Sequence, residues 1–392
     1  MSRIIIFTGK GGVGKTSVAA AHARMSAREG KRTLLFSADM AHNLSDLFEK
    51  KIGREDTEVA ENLYALEADP DYMMEHEYGD MARSIVNMLK SAGTDSDVLD
   101  NGLKLPGMDE LFSLLKILDI YESGKYERIM IDCAPTGETL ALLKFPELLC
   151  WYMEKFFPVG KIAMRVLSPV SRRLLKVELP DKAAMTDMER LYVRLLSLQE
   201  LMKDRNIVSA RIVTMPEKMV VEETKRNYMY LNLYGYYVDG VYVNRMLPAS
   251  LKNPFFAQWM DIQKHYRKEL SDIFRGVPLT EIPWYEQDLC GMESIDRICD
   301  EVLEGIDLFQ VSAQQAGEVY EKTDSGYRLK LFVPCLKKEK LDLYQSGTDV
   351  ILRIGNFKRN IAIPNALRKY EITGARLEDS MLEIKFGKGE EV

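Results

Sequence analysis

A glycine-rich loop between a strand and a helix constrains the fold more than any other feature of the sequence. Residues Gly9–Thr16 read Gly-Lys-Gly-Gly-Val-Gly-Lys-Thr, which satisfies the pattern G-x-x-x-x-G-K-[ST]. The apolar run Ile4–Phe7 comes directly before this loop, and the Ala-rich stretch Lys15–Glu29 follows it and ends at Gly30. A second apolar run, Thr33–Ser37, comes next. This order predicts a β-α-β opening whose strands are buried in a parallel sheet.

The backbone and side chains of this loop suit the phosphates of a nucleotide. Glycines allow successive N–H groups to curl around phosphate oxygens, and the N-terminus of the following helix adds its partial positive charge. Lys15 is expected to reach the β- and γ-phosphates, and the Thr16 hydroxyl to coordinate Mg²⁺. We call the loop the phosphate loop and expect nucleotide contacts from all its residues: Gly9, Lys10, Gly11, Gly12, Val13, Gly14, Lys15 and Thr16.

Short apolar runs recur between long helical stretches through the next part of the chain. They are Arg128–Ile131, Ala210–Thr214, Val238–Asn244 and Leu279–Ile282. This alternation is typical of an open α/β sheet with helices on both faces. We therefore predict a mostly parallel α/β sheet of the P-loop NTPase type, with helices on both faces.

From Tyr327 onward the pattern changes from helical to strand-like. Five short alternating segments are Tyr327–Val333, Leu341–Gln345, Asp349–Ile354, Phe357–Ile363 and Ala375–Phe386. The stretch 310–325 before them is polar and is interpreted as a linker. The sequence therefore predicts an α/β domain at 1–309, a linker at 310–325 and a small all-β sandwich at 326–392.

Charge and composition limit the possible classes of function. The 53 Lys and Arg against 60 Asp and Glu give a net charge of −7, which argues against a dedicated nucleic-acid binder. No uncharged apolar run approaches the roughly 20 residues of a membrane helix, and the N-terminus lacks the pattern of a signal peptide. We expect a cytoplasmic protein with no transmembrane segment and no nucleic-acid partner.

A second lysine in the phosphate loop, Lys10, narrows the type of nucleotide-binding protein. With a lysine at that position, the loop resembles that of one branch of the P-loop NTPases. In that branch the lysine reaches across a dimer interface to the partner's phosphates. The branch includes arsenite-pump and tail-anchored-protein-targeting ATPases, septum-site and plasmid-partition ATPases, and the nitrogenase iron protein. The resemblance implies a homodimer in which Lys10 takes part in catalysis.

Three later segments indicate which family of that branch the sequence resembles. Residues 37–48 resemble the S-x-D-P-A-H-N-L-S-D-x-F segment of the arsenite-pump and tail-anchored-targeting family, and residues 131–140 resemble its D-T-A-P-T-G-H-T-L segment. Met215–Glu217, Glu223–Arg226 and Val243–Arg245 resemble its P-E, E-T-x-R and V-N-Q segments with the spacing kept. The resemblance covers most of the α/β part. The tail resembles the small heat-shock (α-crystallin-like) domain that many bacterial members append.

This resemblance implies ATP as the substrate and gives roles to single residues. Asp39 follows the second strand and is implied to be the catalytic residue that orients the attacking water, together with Lys10 and Lys15. Asp132 ends a later strand as a Walker-B aspartate does. With Thr16 and Asp39 it is implied to hold Mg²⁺, partly through water.

Three further polar residues are implied to contact the nucleotide. Asn244 corresponds to the family's adenine contact, and Glu217 is carried over by the same resemblance, although a turn residue is the alternative for Glu217. Asn43 lies four residues after Asp39, where it would face the same way on the next turn. A helix cap is the alternative for Asn43.

The sequence also departs from the family pattern. Met40, Cys133 and Glu138 stand where the family has Pro, Thr and His, so the coupling of the second switch to a partner subunit is expected to differ. Eukaryotic targeting members clamp a shared zinc with a C-x-x-C pair, and Asn253–Phe256 occupies that position here. The five cysteines form no C-x-x-C pair anywhere, so no zinc is expected.

Methionines concentrate in two regions that correspond to the helical subdomain of the family, about residues 72–108 and 145–205. Ten of the 21 methionines lie in residues 72–108 and 151–205. Soft methionine side chains suit the binding of many apolar partners, although packing inside a helical core is the alternative.

Three functions follow as hypotheses. The leading one is a dimeric, Mg²⁺-dependent ATPase whose nucleotide cycle drives the binding or delivery of hydrophobic membrane-protein clients. The second is the energising ATPase of an arsenite or oxyanion exporter, which the scattered cysteines disfavour. The third is a slow regulatory ATPase or scaffold that binds partners through its β-sandwich.

Overall fold

The computed structural model describes residues 2–39, 43–81, 83, 108–156, 187–311, 318–324, 326–347, 349–355, 357–364 and 367–388. The chain divides into two compact units. The first comprises Met1–Ser209 and Tyr285–Phe309, and the second comprises Ala210–Trp284 and Gln310–Val392. The phosphate loop belongs to the first unit.

The first unit contains a mostly parallel sheet. Its strands are β1 (Arg3–Thr8), β2 (Thr33–Ser37), β3 (Thr57–Ala60), β4 (Leu63–Glu67) and β5 (Arg128–Asp132). They lie in the order β3-β4-β2-β5-β1, and only the β3–β4 pair is antiparallel. Every residue of β1 and β2 is buried, as continuous apolar runs in a parallel sheet predict.

Helices of the first unit follow these strands in the chain. They are α1 (Lys15–Arg28), α2 (Asn43–Phe48), α3 (Pro70–Tyr72), α4 (Met108–Glu122), α5 (Thr136–Phe156) and α6 (Asp187–Lys203). Helix α3 continues into a π-helical turn, Met73–Glu77. Five of the nine buried residues of α1 are alanines, whose small side chains allow the helix axis to lie close to the sheet.

The carboxyl ends of three parallel strands are in register. Phe7 of β1 and Ser37 of β2 both lie opposite Asp132 of β5. The Ala38 N–H donates to the Asp132 carbonyl at 2.9 Å, and the Cys133 N–H donates to the Phe7 carbonyl at 3.2 Å. The loops that leave these strands, including the phosphate loop, therefore start from one edge of the sheet.

The second unit begins within β6 and contains three parallel strands and two long helices. They are β6 (Val208–Thr214), α7 (Lys218–Leu233), β7 (Val238–Met246), α8 (Ala257–Ile273) and β8 (Leu279–Pro283). A short 3₁₀ helix, Pro254–Phe256, precedes α8. Arg211 and Asp239 form an ion pair at 3.1 Å inside this unit, with side chains only 5% and 2% exposed. Burial without a partner would be costly for either charge, so each depends on the other.

The chain returns to the first unit through α9 (Gly291–Ile298), which continues into a π-helical turn, Cys299–Leu303. Helix α9 packs against α1. Asp296 accepts from Arg24 at 2.7 Å and from Arg28 at 3.0 Å. These half-exposed ion pairs fix the register of the two helices and contribute little stability by themselves.

The rest of the second unit is an antiparallel β-sandwich. One sheet has the order β14-β15-β10-β9 and the other β11-β12-β13. The strands are β9 (Glu318–Thr323), β10 (Gly326–Phe332), β11 (Leu341–Ser346), β12 (Asp349–Ile354), β13 (Phe357–Ala362), β14 (Tyr370–Glu378) and β15 (Met381–Lys388). Alternate residues of β10, such as Leu329 and Leu331, are buried, as expected for a sheet with one face in the core.

Helix α7 completes the core of this sandwich. Met229 and Leu233 of α7 belong to the same buried cluster as Leu329, Leu352 and Ile384 of the strands. The α7 tyrosines extend the contact to one edge strand: the ring of Tyr230 stacks on that of Phe357 at 3.9 Å, and the Tyr234 hydroxyl donates to the Lys358 carbonyl at 3.5 Å. The sandwich is therefore packed on α7 within the second unit and shares its core with that helix.

The predicted fold class is confirmed: a large, mostly parallel sheet with helices, and an all-β tail. Two details of the tail differ from the sequence-based prediction. The polar stretch 310–325 contains β9, because Val319 and Tyr320 give it enough apolar character to pair with β10. The segment predicted as one strand, Ala375–Phe386, is two strands, because Asp379 and Ser380 both adopt positive φ and turn the chain.

The predicted helical subdomain is only partly covered by the described residues. Helices α4, α5 and α6 fall in or next to it, whereas the methionines between 84 and 107 and between 157 and 186 lie outside the described residues. Within the described part, no helix is long and apolar enough to cross a membrane.

The shared core predicts that shortening an α7 side chain destabilises the second unit. Leu233 is 1% exposed, so Leu233→Ala is expected to lower the free energy of unfolding by about 2–5 kcal/mol. Met219→Ala, on the same helix but 67% exposed, is the matched control and is expected to change it by less than about 0.5 kcal/mol. Urea unfolding of the full chain, followed by tryptophan emission, measures both. Equal effects of the two variants would contradict the shared core.

Candidate functional site

The phosphate loop has the backbone conformation that its glycines predict. Gly12 has φ 79° and Gly14 has φ 93°, which is the left-handed region that residues with a side chain rarely adopt. Gly14 immediately precedes α1, and its carbonyl accepts from the Val18 N–H at 3.1 Å. A Cβ added at Gly12 would meet no atom within 4 Å. The open side of the loop therefore leaves room for a phosphate next to the start of α1.

Lys15 is folded over the phosphate loop. Its side chain is largely buried, and its ammonium donates to the carbonyl of Lys10 at 3.4 Å. A lysine held in this way presents its charge to the space above the loop, where a phosphate would sit. The Lys10 side chain is half-buried, and within the ranges that the structure describes no ion pair engages its ammonium.

Asp39 lies two residues beyond the end of β2, at the same edge of the sheet. Its N–H donates to the Ser37 hydroxyl at 3.3 Å, and the Ser37 hydroxyl donates to the Asp39 carbonyl at 3.4 Å. These two contacts fix the direction in which the chain leaves the strand. The Asp39 carboxylate is half-buried and close enough to Asp132 for the two charges to repel.

Asp132 is the most buried charged group of the site. It is fully buried, and neither of its carboxylate oxygens has a hydrogen-bond partner among the described residues. Burial raises the pKa of Asp132 to about 7, while the nearby Thr16 hydroxyl and Lys15 ammonium oppose the rise and Asp39 adds to it. The structure thus brings Asp132, Thr16, Lys15 and Asp39 together.

This group of residues fits a magnesium ion. Mg²⁺ prefers oxygen ligands and usually takes one or two carboxylates together with substrate phosphates and water. Two unpartnered carboxylate oxygens of Asp132, next to the Thr16 hydroxyl and the Asp39 carboxylate, supply such a set. A bound cation would also remove the cost of burying the Asp132 charge alone.

The segment after β5 lies close to the phosphate loop. A Cβ added at Gly11 would lie 3.7 Å from Cγ of Pro135, so little space separates the two segments at this point. Thr136 begins α5, and its hydroxyl is buried without a partner in the described part of the chain. Gly137 is exposed, with nothing within 4 Å of an added Cβ. The backbone of this segment is therefore open to a ligand seated on the phosphate loop.

Cys133, one of the departures from the family pattern, is packed rather than reactive. It is fully buried, and burial raises the pKa of its thiol to about 12. A thiol in that state is a poor nucleophile and a poor metal ligand. The other two departures cannot be placed in the same way: Met40 and the side chain of Glu138 lie outside the described residues.

Glu67 belongs to this edge of the sheet and was missed by sequence reasoning. It ends β4, and its buried carboxylate accepts from the N–H groups of Leu44 and Ser45 at 2.9 and 3.0 Å. The Ser45 hydroxyl also donates to it at 3.1 Å. A carboxylate directly after an apolar strand was the available signal, as it was for Asp39 and Asp132.

The remaining predicted residues are placed as follows. Asn43 is the first residue of α2, but its side chain lies outside the described residues, so neither a nucleotide contact nor a cap can be assigned to it. Glu217 and Asn244 belong to the second unit. Glu217 is exposed and immediately precedes α7. Asn244 is buried near the end of β7, where its side-chain oxygen accepts from the Arg245 N–H at 2.8 Å.

The segment Asn253–Phe256 is a capped 3₁₀ turn. The Asn253 side chain accepts from the Phe255 N–H at 2.9 Å, and the Phe255 ring is 75% exposed. Among the described residues, no group of three or more His, Cys, Asp or Glu side chains is arranged to hold a metal ion. The candidate magnesium site does not conflict with this finding, because Thr16 and phosphate oxygens would complete its ligands.

Comparison with known proteins gives two family matches. The model described as an anion-transporting ATPase matches residues 2–304, and the model described as an HSP20-like domain found in ArsA matches residues 324–386. A putative arsenical pump-driving ATPase 1 of Aquifex aeolicus is 32% identical over 392 residues, with 97% of this chain and 99% of that protein covered.

Two relatives carry other names. The ATPase ASNA1 homolog 1 of Paramecium tetraurelia is 28% identical over 308 residues, covering 76% of this chain and 92% of its own length. The ATPase get3 of Pyrenophora tritici-repentis is 30% identical over 309 residues, covering 76% of this chain and 90% of its own length. The matches to these two relatives span about three quarters of the chain, whereas the Aquifex protein matches nearly all of it.

The buried Asp132 carboxylate predicts a pH-dependent stability in the absence of Mg²⁺. In the unfolded chain its pKa is near 3.8, and folding raises it to about 7. The folded protein therefore holds a proton that the unfolded chain has lost between these values, so its contribution to stability falls as pH rises from about 4 to 7 and stays low above that. Asp132→Asn removes this penalty.

We expect Asp132→Asn to raise the midpoint of thermal unfolding by at least about 2 °C at pH 8 and to change it much less at pH 4.5. The same variant should lose Mg²⁺-dependent ATP hydrolysis. Differential scanning calorimetry in EDTA at both pH values, with a phosphate-release assay in Mg²⁺, measures the two effects. A shift of the midpoint that is equal at both pH values would contradict the buried, ionisable carboxylate.

Proposed function

This chain belongs to the anion-transporting ATPase family and is an ATPase, and from that premise we propose that it hydrolyses ATP with Mg²⁺ across a homodimer interface to drive the binding or delivery of hydrophobic membrane-protein clients. The observation that carries the hydrolytic part is the meeting of Lys15, Thr16, Asp39 and Asp132 at one edge of the sheet. The part concerning clients rests on the resemblance of the helical region to that of targeting ATPases.

Each residue of the edge has a distinct task in this proposal. The phosphate loop and the start of α1 bind the phosphates, and Lys15 neutralises their charge. Thr16, Asp39 and Asp132 would hold Mg²⁺, partly through water, and the ion would supply charge stabilisation to the transferring phosphoryl group. Asp39 accepts a hydrogen bond from the attacking water and orients it toward the γ-phosphate. Asn43, Glu217 and Asn244 are proposed as further nucleotide contacts.

Lys10 is proposed to act on the nucleotide of the partner subunit. Its carbonyl is engaged by Lys15 of the same chain, while no ion pair engages its ammonium in the described part of the molecule. An ammonium on a flexible stem next to a phosphate site can stabilise the charge that develops on a neighbouring phosphate. A residue that is supplied from the partner makes hydrolysis depend on assembly of the dimer.

The client part of the proposal concerns the helices α4, α5 and α6. Leu148 on α5 is 46% exposed, so this helix presents apolar surface to the solvent. Apolar surface on α5, which begins within the Pro135–Gly137 segment, is in a position to respond when that segment contacts nucleotide. We propose that the protein is cytoplasmic, because it would bind membrane-protein clients before they are inserted into the membrane.

An energising ATPase for arsenite or oxyanion export is a second candidate, and the name of the Aquifex relative favours it. Metalloid activation would require several thiolates close together. In this chain Cys133, Cys150 and Cys299 are buried, and only Cys290 and Cys335 are exposed. A slow regulatory ATPase that uses its sandwich as a scaffold is a third candidate, supported by the packing of the sandwich on α7.

Stimulation of hydrolysis distinguishes these candidates. We expect a hydrophobic tail-anchor peptide to change the rate of phosphate release at least about twofold, since it would bind the two nucleotide states unequally. Sodium arsenite is expected to leave the rate unchanged, and a scrambled polar peptide of equal length is the control. Stimulation by arsenite alone would favour the exporter function. A slow rate that responds to neither would favour the scaffold.

Mixing two inactive variants tests the composite site. Asp39→Asn and Lys10→Ala are each expected to lower kcat by at least about a hundredfold while nucleotide affinity changes little, because the phosphate loop stays intact. If Lys10 acts in trans, an equal mixture contains heterodimers with one complete site. Random assembly then predicts recovery of about a quarter of the parent's activity.

Phosphate release from the mixture, allowed to exchange subunits, measures this recovery. Each variant mixed with the double variant is the control and is expected to show no recovery. Activity of the mixture equal to the sum of the two variants would show that Lys10 acts within its own chain. Lys10→Ala with the parent's kcat would remove Lys10 from the reaction.

A further inference from the structure

Glu67 is placed so that it links two neighbouring strands to the segment that carries Asp39. Only 3% of its surface is exposed, and it lies opposite Ser37 in the parallel pair β2–β4. Its neighbour Ala68 donates its N–H to the Ser37 carbonyl at 2.9 Å. The same Ser37 holds the N–H of Asp39 through its hydroxyl at 3.3 Å. Glu67 and Asp39 are thus anchored to the same residue of β2.

The Glu67 carboxylate also holds the start of α2. One of its oxygens accepts both the Leu44 N–H at 2.9 Å and the Ser45 N–H at 3.0 Å, and the other accepts the Ser45 hydroxyl at 3.1 Å. The first N–H groups of a helix have no partner within the helix, and a negative charge at that end is favourable. Helix α2 has only six residues, too few to be stable by itself, so its position depends on such external bonds.

Two further hydrogen bonds hold the stretch of chain that leads from α2 back to the sheet. The Ile52 N–H donates to the Ser45 hydroxyl at 3.1 Å, and the Glu67 N–H donates to the Gly53 carbonyl at 3.1 Å. Glu67 therefore binds both ends of the stretch between Leu44 and Gly53. Its N–H donates to the Gly53 carbonyl, and its side chain accepts from the N–H groups at the start of α2. Because α2 starts only four residues after Asp39 in the sequence, the chain between them is short, and the position of α2 limits where Asp39 can lie.

We infer that Glu67 is a positioning residue for ATP hydrolysis: it fixes the start of α2, and through it the place of the Asp39 carboxylate relative to the attacking water. The inference rests on the proposed role of Asp39. The hydrogen bonds given above for the Glu67 carboxylate go to the start of α2, so its removal is expected to affect the chemical step more than nucleotide binding. Displacement of a positioned group by about 1 Å can cost about a hundredfold in rate.

The alternative is that Glu67 only stabilises the fold. Two predictions separate these roles. A structural role lowers the unfolding midpoint without changing kcat at temperatures well below it, whereas a positioning role lowers kcat there while the affinity for ADP and the KM for ATP stay close to the parent's. Rescue by a conservative variant is a second criterion, because one amide oxygen of glutamine can accept the same two N–H groups.

The test compares Glu67→Ala, Glu67→Gln and the control Glu61→Ala, which removes an exposed glutamate in the turn between β3 and β4. At 20 °C we expect Glu67→Ala to lower kcat by about tenfold or more, with KM and the ADP dissociation constant changed by less than about threefold. Glu67→Gln should retain at least about a third of the parent's kcat, and Glu61→Ala should equal the parent. An unfolding midpoint above 40 °C in every variant ensures that folded protein is compared.

The double variant with Asp39→Asn completes the experiment. If Glu67 acts through Asp39, Glu67→Ala lowers kcat in the parent but has no further effect in the Asp39→Asn background. Equal effects in both backgrounds, or a parent-like kcat of Glu67→Ala, would overturn the inference while leaving the role of Asp39 intact. A parent-like kcat of Asp39→Asn would overturn the proposed role of Asp39 itself, and with it this inference.

Discussion

The candidate site depends on a carboxylate buried in the sheet without a partner. Asp132 lies opposite both Phe7 and Ser37 at the carboxyl ends of three strands. Neither of its carboxylate oxygens has a hydrogen-bond partner within normal distance in the described part of the chain, and the nearby Thr16 hydroxyl and Lys15 ammonium offset its burial only in part. In the protein alone this is a cost, expressed in the raised pKa of the carboxyl group. This arrangement favours the binding of a cation together with phosphates, because the carboxylate oxygens that the cation needs are already in place and already desolvated.

Much of this arrangement could be predicted from the sequence because it follows local rules. The pattern of the phosphate loop demands a strand before it and a helix after it, and the carboxyl ends of parallel strands share one edge, so Lys15, Thr16, Asp39 and Asp132 were all expected there. The mostly parallel sheet and the all-β tail follow from the change in hydrophobic period at Tyr327. The roles of Asn43, Glu217 and Asn244 stay predictions, because they depend on a resemblance and not on a contact in the structure.

What the sequence did not predict depends on packing between segments that are distant in the chain. Glu67 is marked in the sequence only as a carboxylate at the end of an apolar segment, and its hydrogen bonds to the start of α2 appear only in the structure. The strand β9 is an exception, because its partner β10 follows it directly in the chain; here the polar residues of β9 concealed the strand. The amphipathic pattern of α7 gave no indication of what its buried face covers, so its Met229 and Leu233 could not be assigned to the sandwich.

The shared core of α7 and the sandwich has a consequence for the ancestry of the chain. A domain that carries its own complete core can be gained by fusion of two genes with little change elsewhere. Here the sandwich is completed by residues about a hundred positions upstream, among them Met229 and Leu233, so fusion alone would have left apolar surface uncovered on both partners. Helix α7 and the strands that it covers are therefore expected to have diverged together, and relatives without the sandwich should carry polar residues at the positions of Met229, Tyr230 and Leu233.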